Sequence, residues 1–502
     1  MSLVRRNFLA NFAGRVWAAL ISFAFVPVYL WFLGIEAYGL IGVYATLIGV
    51  ISLLDLGLGT TLNRELARYS AQPGSARPMR DLLRTLELGY WAIGILIGIA
   101  VVTLVPVIAL HWIRPDQLSG DTVERALRLM GVAIACQWPL ALYSGGLMGL
   151  QRQVTLNVIS TTAATVRGFG AAFVLWQVSA TLEAFLAWQI VVSLSETLIT
   201  ALAIWRALPP GAPGRFNLEL ALGSWKFAAS VSALSVFSVI VTQLDKIILS
   251  GLLPLAGFGY YMLATRLASG LYFLVTPVIT TFFPRYAQLF AAHDERELRR
   301  VYHQSCQLMS VLILPPAVIL MLFPYEILLL WTQNRTIAEN SYLVLALLSA
   351  GTALNALASP PHVLQLASGW TRLALINSAV GTALLAPLIY IMTIRYGAEG
   401  AAAVWLLLNV SNVAVNAVMT HQRLLVGELR HWCGVDVGPA LLAAAAVAGA
   451  WKWLVAVPAS NWWNSVNLGF VSLATVAAAV LATPEIRRLV IQFVTSRLGR
   501  AT

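Results

Sequence analysis

Charged side chains are scarce in this chain of 502 residues, where Asp, Glu, Lys and Arg make up only 11% of the residues and hydrophobic types make up 59%. Soluble proteins usually carry about 25% charged residues. The shortage extends along the whole chain, which excludes a sizeable soluble domain, and a soluble core of this length would also divide into domains. The composition therefore predicts a membrane protein.

Cysteine is also rare. The three cysteines, Cys136, Cys306 and Cys433, are scattered and show no Cys-x-x-Cys spacing. This pattern indicates neither a disulfide framework nor a metal site. The sequence also contains no His/Cys cluster, no nucleophile motif and no glycine-rich phosphate loop. We therefore expect a protein that is not an enzyme and that uses no cofactor.

Acidic residues are fewer than basic residues, which gives the chain a formal net charge of +11. In a soluble protein such a balance would suggest nucleic-acid binding. Here the basic residues lie in short segments between apolar runs, where lipid headgroups and membrane orientation explain them better. Nucleic acid is not expected as a partner.

Long apolar runs are abundant. A run of about 20 apolar residues is long enough to cross a bilayer as a helix. Fourteen such spans are predicted, at 9–33, 37–60, 87–111, 126–149, 154–178, 182–205, 225–250, 257–283, 305–331, 340–366, 371–394, 398–424, 437–457 and 464–483. The first run follows Arg5 and Arg6 as in a signal peptide, but it continues to Leu33 and lacks a small-residue cleavage site. We expect it to remain as the first span.

The basic residues orient these spans. With a cytoplasmic N-terminus, about 22 of the Lys and Arg residues between spans fall on the cytoplasmic side. The opposite side receives about five, namely Arg114, Arg125, Arg128, Arg335 and Arg395. Cytoplasmic loops of membrane proteins carry this excess of positive charge. The bias predicts an inner-membrane protein with both termini in the cytoplasm.

Two short patterns occur twice in the same order. Gly39 of a Tyr-Gly pair lies 25 positions before Arg64, and Gly259 of a Phe-Gly pair lies 26 positions before Arg285. The stretch GLQRQVTLN, which begins at Gly149, matches GWTRLALIN, 369–377. Because both halves begin from the same side, the repeat is parallel, as in many transporters.

This repeat divides an all-α, polytopic fold of about 14 transmembrane helices into two pseudo-symmetric six-helix lobes and two appended helices. The predicted parts are an N-lobe of helices 1–6 (1–205), a cytoplasmic linker (206–224), a C-lobe of helices 7–12 (225–425), helices 13–14 (426–484) and a basic cytoplasmic tail (485–502).

Two stretches resemble a known family. Residues 11–69, which end in LLDLGLGTTLNRELARY, resemble the first two helices of bacterial Wzx-type polysaccharide flippases, the transporters of O-antigen and exopolysaccharide. Residues 243–289, which begin QLDKIILSGLLPLAGFGYYMLATR, resemble the seventh and eighth helices of the same family. That family belongs to the group of multidrug, oligosaccharidyl-lipid and polysaccharide exporters.

The resemblance implies a two-lobed cavity and alternating access. It also implies an undecaprenyl-pyrophosphate-linked oligosaccharide as cargo, carried from the cytoplasmic to the periplasmic leaflet. The implied partners are this lipid, H⁺ or Na⁺ as coupling ion in an antiporter, membrane lipid and the polysaccharide polymerase machinery.

Three arginines lie within predicted spans and are the candidate substrate-binding residues, Arg15, Arg167 and Arg266. An ionisable group inside a bilayer usually faces a cavity or a partner. Guanidinium groups stay protonated and donate pairs of hydrogen bonds to phosphate oxygens, which suits a pyrophosphate. Arg266 also resembles, in helix and depth, an arginine in the cavity of lipid II flippases. The alternative for each arginine is a structural ion pair.

The remaining charges within spans are candidates for ion coupling or for salt bridges, namely Asp55, Glu196, Asp245 and Lys246. Asp55 has the same depth as Arg15, and Glu196 lies within about 5 Å of the depth of Arg167, so both pairs are predicted salt bridges. Asp245 is a candidate partner of Arg266 or of a coupling cation. Adjacent residues of a helix point about 100° apart, so Asp245 and Lys246 are not expected to face one common partner.

Other functions predict other features. A drug or cation exporter of the same fold would favour an acidic cavity, whereas three arginines lie within spans here. A membrane glycosyltransferase or polysaccharide polymerase would need a large outer loop or an acidic metal-binding pair. This chain has neither feature, since Asp116 and Asp121 lie in a short outer segment and do not show Asp-x-Asp spacing. A lipid II flippase is a close relative of the preferred function.

The charge bias makes a testable prediction about topology. A reporter that is active only in the cytoplasm should work when fused after residue 502, because an even number of spans returns the chain to its starting side. The same reporter placed after residue 117, in the predicted periplasmic segment, should be inactive. Reporter activity in intact cells measures this, and activity at both positions would contradict fourteen spans.

Overall fold

The computed structural model describes residues 3–55, 57–220, 222, 242–455 and 461–498. Over these residues all regular secondary structure is helical, which confirms the predicted all-α class. The chain divides into two compact units, Met1–Gly259 and Tyr260–Thr502. The predicted lobe boundary at 206–224 stays a prediction, since most of the predicted span that follows it, 225–250, lies outside the described residues.

Within the described residues, the first unit contains nine helices and the start of a tenth. The nine are α1 (Leu3–Ala24), α2 (Val26–Ile51), α3 (Leu58–Ser70), α4 (Ala76–His111), α5 (Gly120–Gln137), α6 (Leu140–Gly149), α7 (Gln153–Gln177), α8 (Leu182–Ala207) and α9, described over 242–252. A 3₁₀ turn, Ser52–Asp55, connects α2 to α3. Within this unit α7 packs against α1 and α8, and α5 packs against α4 and α8.

The second unit contains the other helices. They are α10 (Leu255–Ser269, which begins in the first unit), α11 (Tyr272–Ala291), α12 (Glu295–Leu322), α13 (Pro324–Thr332), α14 (Arg335–Ala367), α15 (Thr371–Arg423), α16 (Leu429–His431), α17 (Gly438–Leu454), α18 (Asn461–Ala482) and α19 (Pro484–Leu498). A π-helical turn, Trp432–Val437, joins α16 to α17. The helices α12, α14 and α17 form the centre of this unit, and buried clusters connect them.

Several helices begin at residues with short polar side chains. The side chains of Ser119, Thr181, Asp294 and Asn334 each accept a hydrogen bond from a backbone N–H in the first turn of the following helix. The first N–H groups of a helix have no partner inside the helix, so a side-chain oxygen at this position stabilises the helix end. These caps fix where α5, α8, α12 and α14 begin.

Eleven helices of the described chain are long and apolar enough to cross a membrane. Two of them contain a non-helical glycine, Gly34 with φ 80° in α2 and Gly397 with φ 59° in α15. Both glycines fall between spans that were predicted separately, 9–33 and 37–60 and then 371–394 and 398–424. The predicted span 225–250 lies mostly outside the described residues. The chain is a multi-pass membrane protein.

The two glycines of the repeated Tyr-Gly and Phe-Gly pairs make matching close contacts. A Cβ atom on Gly39 would lie 2.4 Å from the carbonyl oxygen of Leu255, and one on Gly259 would lie 2.5 Å from that of Ile35. In each case the glycine of one segment faces the residue four positions before the glycine of the other. Only glycine allows two helix backbones to approach so closely. The reciprocal contact supports the internal repeat.

The contact at Gly39 predicts a stability effect. Gly39→Ala should destabilise the first unit by about 1–3 kcal/mol, because the added methyl group meets a backbone oxygen that cannot move aside. Thermal unfolding of the purified protein in detergent measures this. Gly89→Ala is the control, because Gly89 lies within α4 and has open space around its Cβ position. Equal melting temperatures for the two variants would contradict the tight contact.

Candidate functional site

A half-buried arginine lies on α7 and contacts one face of α8. Arg167 Nη2 lies 3.0 Å from Glu196 Oε2, and its Nη1 donates to Gln189 Oε1 at 3.1 Å and to Ser193 Oγ at 3.2 Å. The three acceptors are spaced at positions i, i+4 and i+7, which places them on one side of α8. We call these four residues the Arg167 cluster. The predicted pairing of Arg167 with Glu196 is present in the structure.

The guanidinium of Arg167 is incompletely used. It has five N–H donors, of which three bond within the cluster. The other two find no acceptor among the described residues. The side chain of Arg167 is 26% exposed, whereas that of Glu196 is 10% exposed. The guanidinium of Arg167 therefore has free donors and is partly exposed, whereas the carboxylate of Glu196 is enclosed.

Two buried polar groups of this unit lack a hydrogen bond of normal geometry. The hydroxyl of Tyr44 on α2 lies close to Arg167 and contacts Ser193 only weakly, so it has no hydrogen bond of normal geometry in the described chain. The side-chain oxygen of Gln137, at the end of α5, is likewise buried without one. Nearly all buried polar groups of folded proteins are hydrogen-bonded, so such groups require an explanation, for which a ligand or bound water is suitable.

The helices that carry this cluster are held in register by local contacts. The hydroxyl of Thr197, next to Glu196, donates to the carbonyl of Cys136 at 2.8 Å and joins α8 to α5. The ring of Tyr29 packs edge-on against Phe185 at 5.0 Å and joins α2 to α8. Because rigid helices on several sides fix the side chains, the cluster has a defined geometry.

Asp55 was predicted to pair with Arg15. In the structure Asp55 closes the 3₁₀ turn after α2, and its carboxylate accepts a hydrogen bond from the hydroxyl of Tyr90 on α4. Arg15 lies on α1, and its side chain is outside the described residues. The pairing of Asp55 with Arg15 therefore stays a prediction, while the contact with Tyr90 was not predicted.

Asp245 and Lys246 contact each other directly. Lys246 Nζ lies 3.1 Å from Asp245 Oδ1, and it also donates to the carbonyl of Thr242, one turn earlier, at 2.5 Å. This contact was not predicted; it forms because the four-carbon side chain of Lys246 bends back over the helix surface. Arg266 lies on α10 in the second unit and is partly buried. Its predicted pairing with Asp245 stays a prediction.

A second buried acid, Glu87, was not predicted as a site residue. Its carboxylate accepts hydrogen bonds from the hydroxyl of Tyr143 at 2.6 Å and from the indole of Trp205 at 3.2 Å, and it pairs with Arg84 at 2.9 Å. Tyr143 in turn accepts from Trp91 at 3.0 Å. Three partners satisfy this acid, which indicates a structural role. The signal in the sequence was an acid at the first position of the third predicted span.

Glu36 is a third buried acid that sequence reasoning missed. It lies on α2 beyond Gly34, and its carboxylate accepts hydrogen bonds from three successive backbone N–H groups, those of Asp116, Gln117 and Leu118. It thereby fastens the 112–119 loop. The same loop bonds to the residues after α9, where Leu255 N donates to the carbonyl of Arg114 at 2.9 Å.

The sequence was compared with known families and proteins. Residues 4–290 match the family described as "Polysaccharide biosynthesis protein", which covers more than half of the chain. The chain belongs to this family. Residues 231–392 also match the family described as MatE. A Shigella flexneri protein, "Putative O-antigen transporter", is 23% identical over 408 residues, which are 81% of this chain and 94% of that protein.

Solved structures show the same fold. The lipid II flippase MurJ in an inward closed conformation has a TM-score of 0.71 at 14% identity, covering 96% of this chain and 99% of that one. The MATE transporter VcmN of Vibrio cholerae has a TM-score of 0.57 at 15% identity, covering 86% and 99%. These matches confirm, for family and fold, the resemblance to polysaccharide flippases found in the sequence.

Proposed function

We propose that this protein is a flippase of the bacterial inner membrane, with both termini in the cytoplasm. Its cargo is an undecaprenyl-pyrophosphate-linked oligosaccharide, which it carries from the cytoplasmic to the periplasmic leaflet by alternating access. Membership of a polysaccharide biosynthesis family and similarity to the Shigella flexneri protein support this proposal. The fold shared with a lipid II flippase is consistent with it.

The proposal rests on the guanidinium of Arg167, in which two of the five N–H donors have no acceptor among the described residues. A pyrophosphate carries at least two negative charges, which an apolar passage would reject. Two free N–H donors inside a membrane-spanning unit can bind phosphate oxygens without breaking the existing contacts to Gln189 and Ser193. The hydroxyl of Tyr44 supplies a further donor beside them. Arg15 and Arg266 complete the proposed set of cationic residues.

The outer loop contact fits an alternating-access mechanism. Glu36 holds the 112–119 loop, and that loop bonds to Leu255, the first residue of α10. With an N-terminus in the cytoplasm, this loop faces the periplasm. We propose that these hydrogen bonds close the periplasmic end and that they break when the cargo leaves.

The role of Arg167 is separable from its structural pairing. Arg167→Met/Glu196→Met replaces the pair by apolar side chains of similar volume, a change that is often neutral for stability. We expect the double variant to fold normally but to lose at least tenfold of its ability to restore surface polysaccharide in a flippase-deficient bacterium. Quantified polysaccharide at matched membrane levels is the measurement.

The matched control is Arg125→Ala/Glu183→Ala, which removes an exposed ion pair between α5 and α8. Exposed pairs contribute at most about 1 kcal/mol, so this variant should transport normally. Full activity of the Met/Met variant would show that the Arg167 cluster is only structural. A wild type that restores polysaccharide in none of several flippase-deficient strains would contradict the flippase function itself.

We further propose that transport is coupled to an H⁺ or Na⁺ gradient through a carboxylate, for which Asp55, Glu196 and Asp245 are the candidates. Neutralisation of Glu196 by a proton would release Arg167 towards an anionic cargo. Asp245 already pairs with a lysine, so a cation would have to displace Lys246.

If transport is coupled to an ion gradient, loss of the coupling carboxylate should abolish the response to that gradient. In proteoliposomes, one of the variants Asp55→Asn, Glu196→Gln and Asp245→Asn should still exchange lipid-linked oligosaccharide between leaflets but should no longer respond to an imposed gradient. The reason is that an amide cannot take up a proton and binds a cation weakly. Glu183→Gln, on the exposed surface of α8, should respond like the wild type. Wild-type transport that ignores both gradients would contradict coupling.

A further inference from the structure

A cluster of two histidines and an aspartate lies in the second unit, where α12 meets the π-helical turn Trp432–Val437. His303 Nδ1 lies 2.5 Å from Asp436 Oδ2, and His431 Nε2 lies 3.9 Å from Asp436 Oδ1. The two imidazole rings are 4.3 Å apart between centroids. One ligand atom from each residue lies within 4.8 Å of the other two. These distances bring three good metal ligands to one point.

The carboxylate at the centre is rigidly placed. Asp436 is fully buried, and Gln307 on α12 donates to its Oδ1 at 2.9 Å. Gln307 is itself buried, and its own oxygen accepts from the backbone N–H of Glu485. A ligand that is oriented by a hydrogen bond from a fixed neighbour is typical of metal sites, where such outer contacts set the affinity.

The site is closed on one side and open on the other. The side chain of His303 is 11% exposed, whereas that of His431 is 45% exposed. An ion can therefore enter past His431, and that side chain is free to move the short distance needed for coordination. Bonds of 2.0–2.1 Å place the ligand atoms of a tetrahedral zinc ion about 3.3 Å apart. His431 therefore has to approach, and the ion has to replace the hydrogen bond between His303 Nδ1 and Asp436 Oδ2, whose atoms move apart.

A fourth polar group stands next to the cluster. Glu428 Oε2 lies 3.4 Å from His303 Nε2, and its Oε1 pairs with Arg299 Nη1 at 2.9 Å. The immediate surroundings thus contain two carboxylates and one guanidinium. A divalent cation bound between neutral imidazoles would give this group a small net positive charge instead of a net negative one.

We propose that His303, His431 and Asp436 bind a divalent transition-metal ion of the zinc class, with Glu428 as outer partner or fourth ligand. Two imidazoles and one carboxylate form a common three-ligand set for Zn²⁺, and water fills the remaining position. The spacing of His303 and His431 in the sequence gives no metal motif, which is why the sequence indicated no metal site. The bound ion would join the start of α12 to the segment that leads into α17.

Zinc binding can be measured without any transport assay, so the result tests this proposal independently of the proposed function. Full-length protein in detergent, freed of its affinity tag and of metal, is titrated with Zn²⁺ in competition with a chromophoric chelator. We expect one site per chain. Zn²⁺ should also raise the melting temperature, because it binds only the folded arrangement.

The decisive variant is His431→Ala, because His431 is exposed and its loss leaves the core intact. It should weaken zinc affinity about 100-fold and abolish the thermal shift, since the loss of an outer partner alone costs 10- to 100-fold. Glu428→Gln should weaken binding about tenfold. His111→Ala is the matched control, since His111 is an exposed histidine at the end of α4 in the other unit, and it should bind like the wild type.

Three results would overturn the proposal. The first is a wild type that takes up no zinc at one ion per chain. The second is equal affinity in wild type and His431→Ala, which would place any bound zinc elsewhere. The third is uptake of Fe²⁺ or Mn²⁺ but not Zn²⁺, which would reject the class of ion, because a His₂-carboxylate set also occurs with Fe²⁺.

Discussion

Every charge that this chain places inside the membrane needs hydrogen-bond partners from the protein, because a bilayer supplies none. An unpaired ionised group at that depth costs several kcal/mol, a large part of the stability of a folded protein. In the first unit the residues Arg167, Glu87 and Glu36 each meet this constraint with partners from a neighbouring helix or loop. The positions of α4, α7 and α8 and of the 112–119 loop follow from these contacts.

The same constraint separates satisfied groups from those that are available. Glu87 has three partners and Glu36 accepts three backbone N–H groups, so neither can release its contacts without a large cost. Arg167 has partners for three of its five donors and lies beside a tyrosine hydroxyl that makes only a weak contact with Ser193. Charge that is stabilised but not saturated is what an enzyme or a transporter needs at a binding site. Whether a charged group is saturated depends on the number of hydrogen-bond partners within reach of its side chain.

Much of the fold could be predicted because the governing quantities are local. Apolar runs of about 20 residues gave the spans, and the breaks expected near Gly34 and Gly397 occur there. The Arg167–Glu196 pair could be predicted from depth, since equal distances from the membrane surface on consecutive helices bring side chains together. The contact between Asp245 and Lys246 could not be predicted in this way, because the position of a lysine on a helix does not determine where its flexible side chain places the ammonium group.

The rest depended on contacts between residues far apart in the sequence. Glu36 bonds to amides some 80 residues later, and His303 meets His431 and Asp436 more than 120 residues later. Backbone N–H groups carry no sequence signal, and isolated histidines carry a weak one. The reciprocal fit of Gly39 and Gly259 was visible only as a repeat, and its physical reason is the close approach of two backbones.

The π-helical turn Trp432–Val437 has a consequence for how this chain tolerates insertions and deletions. A π-helical turn holds about one residue more than an α-helical turn. If the same six residues wound as ordinary α-helix, the segment that precedes them would rotate by about 100° relative to α17. His431 would then turn away from Asp436, although no side chain of the cluster had been replaced. Deletion of one residue within the turn would cancel this rotation, so a related chain with a segment one residue shorter can retain the cluster on an ordinary α-helix.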